Sequence, residues 1–110
     1  MTIRQTNTGV HIVLTTCPNR DTAQTLAKTL VEQNLAACVN IIDGVRSVYK
    51  WNGGIQDDAE LLLLIKSPVE HFPVLRDRLL ELHPYELPEI VTVPVTDGLA
   101  GYLDWILNSK

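Results

Sequence analysis

The dipeptide Asn52-Gly53 is flanked by two long runs of strand-forming residues, and it restricts the possible folds more than any other feature of the chain. Asn-Gly satisfies the positive φ values that a tight two-residue hairpin needs. Before it, Val45 to Trp51 alternates: Val45, Ser47, Tyr49 and Trp51 share one face, and Arg46, Val48 and Lys50 share the other. After it, Ile55 to Lys66 returns as a second long strand, in which Leu61 to Ile65 is apolar at every position. Asp57-Asp58-Ala59-Glu60, nearer the turn, reads as a solvated portion. Each arm exceeds the usual strand length of about 5–6 residues. The hairpin should therefore form the middle of a sheet and project beyond whatever covers that sheet.

The flanking segments complete the pattern. Val10 to Thr16 is rich in β-branched residues and predicts a first strand ended by Pro18. Asn19 can cap a helix whose apolar stripe is Ala23, Leu26, Ala27, Leu30 and Val31, with Asn34 as a left-handed stop. Cys38 to Ile42 is apolar and leads into the hairpin through Asp43-Gly44, a turn or bulge signal. Ser67-Pro68-Val69-Glu70 matches a capping box with proline at the first helical position, while Pro73 moves the expected start of the regular helix a few residues later. Phe72, Leu75, Leu79 and Leu82 mark that helix's buried stripe. Ile90 to Val95 is a fourth strand. Asp97-Gly98 can open a short last helix with Leu99, Tyr102, Leu103 and Ile106 inward.

The order β-α-β-β-α-β plus a C-terminal helix predicts an α+β, ferredoxin-like fold with a four-stranded antiparallel sheet. Residues 10–107 form its single domain, and residues 1–9 read as a flexible N-terminal tail. The 110-residue length fits one core. In this arrangement two helices cover one sheet face. The strands nevertheless offer apolar residues to both faces, which marks the second face as a surface for self-association in closed symmetry.

The formal charge of −4 argues against a nucleic-acid partner. No stretch is apolar for long enough to span a bilayer, and the first nine residues lack a signal-peptide core. Cys17 and Cys38 form no CxxC pair and read as reduced thiols in a cytoplasm-like compartment. Cys17, beside Pro18, reads as the more exposed thiol, and Cys38 as a small core residue. His11 reads as a strand residue at an edge or interface, and His71 as surface. No glycine-rich phosphate loop, GxSxG elbow or HExxH pair is present.

The polar chemistry concentrates in His83-Pro84-Tyr85-Glu86-Leu87-Pro88-Glu89. Two prolines stiffen this corner between the second helix and the fourth strand. His83 could be a metal ligand or a helix-terminal base suited to the dipole. Glu86 and Glu89 could be oxygen ligands or ion-pair partners. With His83 they would make a mixed nitrogen and oxygen site adequate for Zn²⁺ or Cu²⁺. Tyr49, Trp51, Tyr85 and Trp105 could line a pocket for a flat ligand or anchor an interface.

Five segments in register, Leu35–Ile41, Ser47–Gly53, Ile65-Lys66, His83–Ile90 and Tyr102–Ile106, resemble the CutA family of divalent-cation tolerance proteins. The likeness runs from about Val10 to Ile106. It implies a ferredoxin-like subunit, a compact homotrimer resembling that of the PII signalling proteins, a cytoplasmic home and a role in tolerance of metal ions, notably copper, without settled enzymatic activity. Some members of that family bind copper through a cysteine at the end of the first strand and two adjacent histidines at the corner. Here those positions hold Thr15, Leu82 and His83, so only His83 matches, and Cys17 lies two residues past the expected cysteine. The candidate metal ligands are thus His83, Cys17, Glu86 and Glu89, with Lys66, Tyr85, Tyr49 and Trp51 lining a cleft. The competing reading is a PII-like signalling module for a small anionic metabolite, in which Lys66, Arg46 or Lys50 would gather at the site.

Overall fold

The computed structural model describes residues 7–110. Its elements are β1 (Val10–Cys17), α1 (Arg20–Glu32), β2 (Cys38–Trp51), β3 (Gly54–Pro68), α2 (Phe72–Leu82), β4 (Val91–Pro94) and α3 (Ala100–Asn108). They form one antiparallel sheet in the order β2-β3-β1-β4, the ferredoxin-like arrangement. Of the expected tail, residues 1–6 lie outside the described residues. Thr8 and Gly9 are tied down instead of frayed: the Thr8 hydroxyl donates to the Val95 carbonyl, and Gly9 O accepts from Val69 N at 2.8 Å.

The local signals act as their chemistry requires. Asn19 caps α1, its Oδ1 accepting from Thr22 N at 2.8 Å, and Asn34 closes it at φ 59°. Asn52 and Gly53 hold φ of 50° and 79°, as a type I′ hairpin demands. Gly44, at φ 78°, sits in a bulge where the register of β2 shifts between Ile42 and Val45.

Ser67 does not cap α2. It stays in β3 opposite His11, fully buried, and its Oγ shares a 2.8 Å hydrogen bond with His11 Nε2. Pro68 closes the strand, and a 3₁₀ turn (Val69–His71) precedes α2, placing Pro73 in the first turn where its missing N–H is harmless. His11 is likewise not at an edge. It lies on the central strand, buried, with its ring edge-on to Phe72. His71 is half-buried, and its Nδ1 is enclosed without a partner.

Alternation along the strands separates two faces. Val13, Cys17, Leu63 and Ile65 point toward α1 and α2 and pack with Leu26, Leu30, Leu75 and Leu79 into the core. Ile12, Leu14, Leu62, Leu64, Val91 and Val93 belong to the opposite face by register. That face is not wholly bare. Helix α3 packs on β1 and β3 at the Lys66 end and buries Ile106 there. Leu99 was expected inward, but it precedes the helix and is exposed. Asp97 accepts from Gly98 N and leaves the helix without a side-chain cap. Beyond α3 the face stays open, with Val91 49% and Val93 47% exposed. β4 is shorter than the apolar run Ile90–Val95 suggests. It is an edge strand that ends at Pro94, and Ile90 packs on the core beside it.

Candidate functional site

Pro84 forces His83 out of the helical region, so His83 ends α2 at φ −75° and ψ 135°. That turn directs the imidazole inward, where it is only 7% exposed. Its Nδ1 accepts from Tyr85 N at 3.1 Å, so Nε2 carries the proton and donates to the Thr16 carbonyl at 2.7 Å. The ring also packs against Tyr85, with centroids 4.7 Å apart. Both nitrogens are therefore occupied in tying the corner to the end of β1.

Tyr85 carries the linkage outward. Its hydroxyl donates to Glu60 Oε2 at 2.7 Å. Burial, together with the Glu60 carboxylate, pushes the Tyr85 phenol well above its ordinary value. Glu60 is only 8% exposed, although the neighbouring acids suggested a solvated strand end. It pairs with Val45 just past the bulge, on the same face as Leu62, and lies under the base of the hairpin. On the hairpin itself, the Tyr49 hydroxyl donates to Asp58 Oδ2 at 2.6 Å. That bond raises the Tyr49 pKa, with lesser help from desolvation and from the Asp58 and Glu60 charges.

Between the hairpin base and the corner lies a cleft of about 680 Å³, lined by Tyr49, Trp51, Glu60, Tyr85, Glu86 and Glu89 among others. Among the described residues, no lysine or arginine lines it. The structure thus brings together Tyr49, Trp51, Tyr85, Glu86 and Glu89 as the sequence suggested. It adds Glu60 and Thr16, which sequence reasoning missed. The only hint of Glu60 was a carboxylate abutting the apolar run Leu61–Ile65; its burial depends on Tyr85, remote in sequence.

The other candidates sit elsewhere. Lys66 is on the α3 side, where its Nζ donates to the Tyr102 hydroxyl at 3.3 Å. Trp105 stacks on Tyr102 in the same region. Cys17 is not the exposed thiol: it is fully buried in the core, and Cys38 is the half-buried one. Burial, then the nearby Glu60 carboxylate, pushes the Cys17 thiol up to about 11, the opposite of what a thiolate ligand needs. Thr15 is also fully buried, and its Oγ1 has no hydrogen-bond partner.

These facts test the expected metal set. Among the described residues, no group of three or more His, Cys, Asp or Glu side chains is placed to hold an ion. His83 has no free nitrogen, Cys17 is a neutral core thiol, and Glu86 and Glu89 are exposed. His83, Cys17, Glu86 and Glu89 therefore do not fit a metal as a set within one subunit.

Residues 11–109 match the family model described as CutA1 divalent ion tolerance protein. The chain belongs to the CutA1 family. It is 50% identical over 96 residues to the divalent-cation tolerance protein CutA of Thermus thermophilus, covering 87% of this chain and 93% of that one. It is 41% identical over 98 residues to Protein CutA of Homo sapiens, covering 89% of this chain and 55% of that protein. The chain therefore spans about half of that longer relative.

The solved structure of the Thermus thermophilus protein superposes with a TM-score of 0.87 at 49% identity, covering 89% of this chain and 95% of that one. CutA from Xylella fastidiosa superposes with the same score at 42% identity, covering 89% and 94%. A CutA from Archaeoglobus fulgidus is described as periplasmic, and one from Arabidopsis thaliana as chloroplastic. No helix among the described residues is long and apolar enough to cross a membrane.

Proposed function

We propose that this CutA1 chain acts in divalent-cation tolerance as a non-enzymatic, cytoplasmic homotrimer that takes up metal ions at clefts between subunits. The observation that carries the reading is the charge of the cleft: Glu60, Glu86 and Glu89 line it without a lysine or arginine among the described residues. Carboxylates attract cations and repel anions. The same observation disfavours the PII-like alternative, because Lys66 is bound to Tyr102 on the α3 side and Arg46 is paired with Asp57 at 2.9 Å.

Assembly supports the reading in two ways. The open sheet face carries apolar side chains of β1, β3 and β4 that a single chain leaves partly exposed, and symmetric self-association would bury them. The hairpin projects so that a neighbour could contribute donors to the cleft. Glu86 and Glu89 offer exposed carboxylate oxygens at the rim of the cleft, and a neighbour's groups would complete the coordination. Copper is the first ion to test, since Cu²⁺ binds a given nitrogen and oxygen site more tightly than its first-row neighbours do.

Two measurements test the proposal. Sedimentation at micromolar concentration should give a mass of three 12.3 kDa chains; a folded monomer would refute the assembly. Calorimetric titration with Cu²⁺ and Zn²⁺ should show binding that weakens in the double variant Glu86→Gln, Glu89→Gln and persists in His83→Ala. Loss of binding in His83→Ala with an unchanged fold would instead make His83 a ligand.

A further inference from the structure

The geometry points to a second ligand class for the cleft at the hairpin base: a small organic cation, a protonated amine on a flat or apolar body, with its charge at Glu60 and its body against Tyr49, Trp51 and Tyr85. The inference stands on the cavity itself, not on metal uptake, and goes beyond it.

Four observations carry it. The first is the state of Glu60. It is more than nine-tenths buried, yet none of the ion pairs among the described residues includes it. Its one hydrogen bond among them comes from the Tyr85 hydroxyl to Oε2, which leaves Oε1 without a protein donor. That oxygen is not among the enclosed polar atoms lacking a partner, so it stays open to solvent on a residue that is otherwise buried, and a carboxylate so placed favours a cation beside it.

The second is size. About 680 Å³ is far more than a bare ion fills and lies within the range of small-molecule sites. The third is chemistry. Tyr49, Trp51 and Tyr85 line the same cleft, and aromatic faces attract organic cations through the ring quadrupole. They offer nothing to a hydrated metal ion, which needs converging donors that the described residues do not supply. The fourth is placement. Tyr85 is fixed at both ends, by its N–H on His83 and its hydroxyl on Glu60. Its ring is thus preorganised, and little side-chain entropy remains to be lost on binding.

Glu86 and Glu89 at the rim add negative potential without burial. They would raise the local concentration of any cation, and salt would screen their effect. Glu60 supplies the discrimination, because only there is charge presented in a partly dry setting.

The probe is 2-phenylethylammonium, compared with its neutral counterpart 2-phenylethanol, in metal-free buffer containing a chelator. Trp105→Phe removes the second tryptophan, so the emission reports Trp51. The expected result is saturable quenching by the ammonium and at least about tenfold weaker binding of the alcohol. Glu60→Gln, which keeps shape and removes charge, should abolish that preference. Tyr85→Phe keeps the ring but releases it from Glu60, so it should weaken binding of the ammonium while leaving its preference over the alcohol intact.

Equal response to ammonium and alcohol overturns the inference, as does undiminished amine preference in a folded Glu60→Gln variant. Should Glu60→Gln dissociate the assembly while no amine binds, a cation of a neighbouring copy is the partner of Glu60 and the inference fails. Copper binding that depends on Glu86 and Glu89, with no response to amine, also refutes it and leaves the metal reading standing. Amine binding without any copper binding does the reverse.

Discussion

Replacing Thr15 with valine should stabilise the protein. Thr15 lies on the central strand β1, opposite Leu63, fully buried, with its hydroxyl unpartnered. A buried hydroxyl without a hydrogen bond forfeits its hydration, at a cost of about 1–3 kcal/mol. Valine is nearly the same shape and equally suited to a strand. It removes that penalty and adds a methyl group worth roughly 0.8 kcal/mol of burial. Against these stands the slight overpacking of a methyl where an oxygen sat, which consumes part of the gain in a dense core. The net expectation is a gain of about 1–2 kcal/mol, and for a domain of this size each kcal/mol moves Tm by about 4–8 °C. Thr15→Ser provides the control. It keeps the hydroxyl and loses the methyl, so it should cost about 1 kcal/mol. The assay is guanidinium unfolding at fixed protomer concentration, since association contributes to apparent stability, with midpoints ranked Val above Thr above Ser at constant m. A lower midpoint for Thr15→Val would mean that the hydroxyl has a partner, and would refute the reasoning.

Other perturbations follow from the same geometry. The Cys17 thiol, raised to about 11 by burial and then by Glu60, favours the neutral form in the folded state. Its contribution is therefore complete below the unfolded thiol value near pH 9 and is lost as pH climbs toward 11. The loss approaches about 1.4 kcal/mol per pH unit, and Cys17→Ala should flatten that limb of the stability curve. A thiol reagent at neutral pH should modify Cys38 in the native protein and reach Cys17 only on unfolding, as peptide mapping would show. His11 is held below its ordinary value by burial and, less, by His71, so its stabilisation is present above about pH 6.5 and declines in acid as pH falls through the lowered value; denaturation midpoints across roughly pH 4–7 should be flatter in His11→Asn. Gly53→Ala forces a side chain into φ 79° with open space around it, so backbone strain alone should cost about 1 kcal/mol in the same unfolding assay.

Much of the fold was legible because local chemistry leaves few choices. Asn52-Gly53 can turn only one way, Asn19 and Asn34 bound a helix by satisfying or ending its backbone bonds, and the period of apolar residues sorts strands from helices. The segments that carry the family likeness were legible for the same reason: each is a short run whose spacing is visible in one dimension. Ser67 marks where local reasoning gave out. Its capping signature is real as a pattern, but the strand hydrogen bonds and the His11 partner held it in β3.

Side-chain environment was decided by tertiary structure. Whether Cys17 or Cys38 faces solvent depends on which sheet face α1 and α2 cover, and adjacent strand positions differ by a half-turn that no local cue fixes. The imidazole of His83 was visible as a candidate, but not the two hydrogen bonds that occupy it, since Thr16 lies 67 residues away. Glu60 is the clearest case. In the chain it closes an acidic stretch and looks solvated. In the fold, a tyrosine from a proline-stiffened corner covers it, and a surface carboxylate becomes the buried charge of a cleft. Composition and periodicity determine which elements form; only packing determines which polar groups lose their water, and that loss sets their chemistry.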